Sequence, residues 1–121
     1  MITGAGAICA LGPTPRAIWD AMAEGTSAFG PITRFDASAF ATRIAAEVAN
    51  ADRPDPRFEA AYWGRLDARS RFAVRATLDA VRRAGLNLTP GNRAQVAVVL
   101  ATERPADEAI AAGAARLGAG D

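Results

Sequence analysis

From Asp67 to Ala84, polar residues recur one helical turn apart. Arg71, Arg75, Asp79 and Arg83 stand at i, i+4 spacing, while Phe72, Ala73, Ala76, Leu78, Ala80 and Val81 take most of the remaining surface. This spacing predicts a helix whose apolar arc is wide enough for clamping between layers, with Gly85 ending it. A shorter helix is predicted from Thr14-Pro15, a capping residue before a proline suited to the first helical position, to Gly25. Met1-Ile2-Thr3 and residues 43–48 read as short strands, and Val96-Ala97-Val98-Val99-Leu100 as a strand buried on both faces. A glycine-punctuated turn, Gly4 to Gly12, follows the first strand, and a Pro/Asp patch, Asp52 to Pro56, breaks the chain. After Pro105 a last helix is predicted, with Asp107 and Glu108 in its first turn, Arg116 in its last and Gly118 just past it. Strand, helix, strand, helix, strand, helix is an α/β order.

Composition supports that picture and narrows the chemistry. The chain has 121 residues, half of them apolar and 22% charged, which is the balance of a globular protein with at most one domain. Alanine supplies 31 residues, favouring helix and close packing, and all 14 cations are arginine. Net charge is +1, unevenly spread: residues 53–93 hold nine arginines against four acids, and the remainder five against nine. A basic middle suits an acidic partner or a solvated helix surface. It does not suit nucleic acid, given the near-zero net charge and few aromatics.

Without histidine there is no Ser-His or Cys-His pair and no imidazole base among these residues. One cysteine and no histidine exclude zinc sites of the usual kinds. A lone cysteine makes no intrachain disulfide, which fits a reducing cytoplasm. The start lacks a basic leader, and no apolar run approaches the ~18 residues of a membrane span. A soluble cytoplasmic location, with no membrane and no nucleic acid as partner, is the expectation.

Three small constellations compete with plainer explanations. Gly4 and Gly6 begin a Gly-x-Gly-x-x-Gly dinucleotide fingerprint, but its third position is Cys9 and the helix starts only near Thr14. The plainer reading gives these glycines a tight turn beside packed backbone. Cys9 lies between Ile8 and Ala10, with no histidine to serve it, and reads as a buried inert thiol rather than a nucleophile. Glu103, Asp107 and Glu108 near a helix start complement its dipole more simply than they make a carboxylate site. No catalytic residue, cofactor or metal ligand is assigned.

The stretch Thr3-Gly4-Ala5-Gly6-Ala7-Ile8-Cys9-Ala10-Leu11-Gly12, with Trp19, Gly25 and Ser27 downstream, resembles the N-terminal region of β-ketoacyl-acyl-carrier-protein synthases. Phe35-Asp36-Ala37-Ser38-Ala39-Phe40-Ala41-Thr42-Arg43-Ile44-Ala45-Ala46-Glu47-Val48, and Leu66-Asp67 through the helix to Ala84-Gly85-Leu86, match in the same order and spacing. The resemblance implies the N-terminal half of a thiolase-like αβαβα fold, incomplete here. It also implies a role in fatty-acid or polyketide chain extension, where a cysteine carries the acyl chain and two histidines assist condensation with malonyl carrier protein.

Several features depart from the family. Its nucleophilic cysteine, two histidines and supporting lysine belong to regions after those matched here, and Cys9 stands where the family often has serine. Residues 1–121 accordingly read as a partial N-terminal domain cut at both ends, inactive alone. The family's glycine-rich turn after the third strand is replaced by Ala101, Thr102, Glu103, Arg104, Pro105 and Ala106. Of the basic patch that contacts carrier protein in relatives, only Arg65 remains, beside Tyr62, Trp63 and Gly64. The implied partners are acyl carrier protein and a second synthase chain, as a homodimer or a heterodimer with a full-length ketosynthase. A non-catalytic, chain-length-factor-like subunit is the alternative, with a small dinucleotide-binding domain behind it.

Overall fold

Thr14 opens the first helix, α1 (Pro15–Ala23), with extended backbone and a side-chain oxygen that accepts the Ala17 N–H at 3.2 Å. Pro15 costs this helix nothing, because its missing N–H would have no intrahelical acceptor. Gly25 stops it: at φ +70° it sends its N–H to Met22 O, and Thr26 N–H reaches back to Ala21 O. Those two bonds satisfy carbonyls that a helix end would leave open.

The computed structural model describes residues 1–102. They form two units, one of Met1–Ala51 with Val74–Leu86, the other of Asp52–Ala73 with the described residues from 87 onward. After α1 the first unit contains β1 (Phe29–Pro31) and β2 (Ile44–Ala46), paired antiparallel with Phe29 opposite Ala46, Gly30 opposite Ala45 and Pro31 opposite Ile44. Ile32 N–H extends the ladder to Arg43 O. Gly30 and Ala45 are the half-buried members, so Phe29, Pro31, Ile44 and Ala46 share the exposed face. Proline fits because, among the described residues, β1 is an edge strand with no neighbour on its far side.

The long helix is α3 (Ala68–Arg83), preceded by α2 (Ala60–Arg65). Asp67 begins α3 by accepting the Ser70 N–H at 2.7 Å, and that bond holds the Asp67 carboxyl below its ordinary range. Gly85, at φ +63°, ends it, with Leu86 N–H on Val81 O. Residues 74–83 of α3 belong to the first unit, where Gly4 and Gly6 lie against its backbone. A Cβ added at Gly6 would sit 2.8 Å from the Ala80 nitrogen and closer still to Ala76 O; at Gly4 it would meet Ala80 O and the Ala84 backbone. The alanines on this helix face and the glycines opposite them are what allow main chain to approach main chain.

Among the described residues few are buried: Ala37 and Ala51 in the first unit, Trp63 and Asp55 in the second. Trp63, 2% exposed, stacks on Phe58 with centroids 5.5 Å apart, and Phe58 also stacks on Tyr62 at 5.9 Å. Asp55 takes the Arg57 Nε at 2.8 Å and Arg57 N–H at 3.0 Å, so this buried carboxylate is hydrogen-bonded and paired.

Both predicted helices within the described residues form, and the predicted strand at 43–48 survives as β2. Two strand expectations need correction. Met1 to Thr3 forms no strand and is exposed, and 96–100 has no ladder partner among the described residues. Val96 has extended backbone, yet Val98, Val99 and Leu100 are 65%, 90% and 68% exposed. An apolar run marks a buried strand only where neighbouring strands supply hydrogen bonds and cover. Among the described residues the sheet is therefore two-stranded and antiparallel, and the helix predicted after Pro105 lies outside them.

Candidate functional site

Cys9 sits in a tight turn. Its N–H donates to Gly12 O at 3.0 Å and its carbonyl accepts the Gly12 N–H at 3.1 Å. Gly12 in turn packs on α1, where an added Cβ would come within 2.8 Å of the Ala17 methyl. This turn, the 26–29 segment and the strand end at Ala46–Val48 line an open cavity of about 630 Å³. Ile8, Leu11, Phe29 and Val48 make its wall apolar, while Thr26 and Ser27 contribute hydroxyls. Cys9 is half-buried there, and among the described residues its thiol is the one titratable side chain of the lining.

Glu47, just past β2, organises the neighbouring loop. Its carboxylate accepts the Thr33 hydroxyl at 2.6 Å, the Thr33 N–H at 3.1 Å and the Arg34 N–H at 3.2 Å. These bonds, the Thr33 hydroxyl foremost, hold its pKa below the ordinary value of 4.5. Two further tethers come from α3 within their own units: Arg75 donates to Asn50 O at 3.1 Å, and Arg71 pairs with Asp52 at 2.8 Å.

Arg65 ends α2 and is exposed. Phe58, Tyr62 and Trp63 anchor the helix that presents it. Arg65 makes no ion pair among the described residues, unlike several of its basic neighbours. Arg57 pairs with Asp55, Arg71 with Asp52, and Arg82 and Arg83 both with Asp79. Of these acids only Asp52 lies outside residues 53–93, so the pairs localise the segment's charge without removing its positive balance.

No group of three or more potential metal ligands occurs among the described residues. Gly4 and Gly6 lie against the α3 backbone, where the lack of a Cβ permits the close approach. Ala101 and Thr102 are exposed, whereas Glu103, Asp107 and Glu108 lie outside the described residues. No helix among the described residues is long and apolar enough to cross a membrane.

Residues 1–116 match the family Beta-ketoacyl synthase, N-terminal domain. The chain belongs to that family. It is 38% identical over 104 residues to 3-oxoacyl-[acyl-carrier-protein] synthase 2 of Synechocystis sp., an alignment covering 84% of this chain and 24% of that protein. It is 36% identical over 92 residues to nodulation protein E of Rhizobium meliloti, covering 76% of this chain and 22% of that protein. Granaticin polyketide putative beta-ketoacyl synthase 1 of Streptomyces violaceoruber is 34% identical over 100 residues, 83% of this chain and 24% of that protein. The chain spans about a quarter of the length of the curated relatives it matches.

What the sequence reading missed is structural: β1, α2 and the Glu47 clamp. Glu47 and Thr33 lie 14 positions apart, and nothing in their local sequence announces the pairing.

Proposed function

We propose that this polypeptide is the N-terminal part of a β-ketoacyl-acyl-carrier-protein synthase, contributing scaffold and carrier contact rather than chemistry. The observation that carries the reading is the family match over residues 1–116 in a sequence without histidine. Its one cysteine lines a cavity with no basic side chain among the described residues. The reaction of the complete relative is condensation of an acyl thioester with malonyl carrier protein, in fatty-acid or polyketide synthesis. The complete αβαβα fold, a cytoplasmic setting and pairing with a second synthase chain belong to the same proposal. The exposed apolar residues Val98, Val99 and Leu100 support the pairing, since such surface favours association.

Arg65 is proposed as a contact for the acidic carrier protein. Its exposure and freedom from internal ion pairs among the described residues support that role. Incubating the purified chain with acyl- and malonyl-carrier protein is expected to yield no ketoacyl product above background. Saturable product formation would overturn the proposal of a scaffold without chemistry.

A further inference from the structure

We draw no further inference here: the strongest candidate, the exposed apolar run Val96–Leu100 at the end of the described residues, carries nothing beyond the association already proposed, because nothing in the structure shows what covers it.

Discussion

The Thr33 hydroxyl donates to the Glu47 carboxylate across 2.6 Å, joining the segment that leaves β1 to the segment that leaves β2. Two backbone N–H groups, of Thr33 and Arg34, converge on the same carboxylate. Three donors on one acceptor group fix where the 32–36 loop starts, beyond the reach of a sheet only three residues long on each strand. Charge-assisted bonds of this kind are stronger than neutral ones.

A pH dependence follows from that clamp. Glu47 is held below its ordinary pKa, so the folded form binds its proton less readily than the unfolded chain does. Its stabilising effect is complete above the unfolded value, near 4.5, and is lost as pH falls through the lower folded value. Thermal midpoints measured from neutral pH down through this range should fall. In Glu47→Gln the part of the decline owed to this residue should disappear. An unchanged acid limb in the variant would show that the clamp contributes nothing to it.

The glycines facing α3 give a sharper test. Gly6→Ala places a methyl against the Ala76 carbonyl and Ala80 nitrogen, and backbone does not yield as a flexible side chain does. Overpacking of this kind costs about 1–3 kcal/mol. Gly64, within α2, has no positive φ, and outside its own helix no atom of the described residues lies within 4 Å of an added Cβ. Gly64→Ala should therefore stabilise by about 0.5–1 kcal/mol, through helix propensity and a less free unfolded chain. Denaturant unfolding of both variants checks the pair, and equal effects would contradict the packing assigned to Gly6.

How far these features were legible in the sequence depends on their range. α1 and α3 carry their own punctuation, Thr14-Pro15 to Gly25 and Asp67 to Gly85, so local chemistry announces them. β1 does not: Phe29-Gly30-Pro31 is poor strand sequence and becomes a strand only through its register with Ile44–Ala46. α2, six residues long and containing Gly64, is too short to show a helical period and has no side-chain cap at its start. At 96–100 the apolar pattern records what the run would bury, while the described residues supply no ladder partner. Arg65 stood out only through resemblance to a family. The ion pairs of Arg57, Arg71, Arg82 and Arg83 depend on how the folded chain places their acidic partners.

Carrier docking predicts a charge effect at one residue. Arg65→Glu should weaken binding of acyl carrier protein roughly five- to tenfold at low salt, the scale of one well-placed interfacial charge. Added salt should shrink the difference, since exposed charges are screened beyond about 10 Å at 0.1 M. Arg82→Glu serves as the comparison, because Arg82 is already engaged with Asp79 at 2.6 Å. Titration of the two variants and the parent at two ionic strengths reads the result. Binding indifferent to Arg65→Glu would remove carrier contact from the proposed function.

The last prediction concerns association. Val98, Val99 and Leu100 present uncharged, β-prone surface, and residues 96–100 have no ladder partner among the described residues. Apolar surface left in water forfeits roughly 25 cal/mol per Å², so a few hundred Å² is worth several kcal/mol. That is comparable with the roughly 5–15 kcal/mol that holds a whole domain together. Unpaired extended backbone adds a template for pairing with another chain. The isolated polypeptide should therefore sediment as dimers or larger species at micromolar concentration. Val99→Lys should shift it toward monomer, because a charge on an exposed strand-like segment opposes pairing. A compact monomer with one sharp, reversible thermal transition in the parent chain would show that residues 1–121 close their own core, and that the exposed run drives no association.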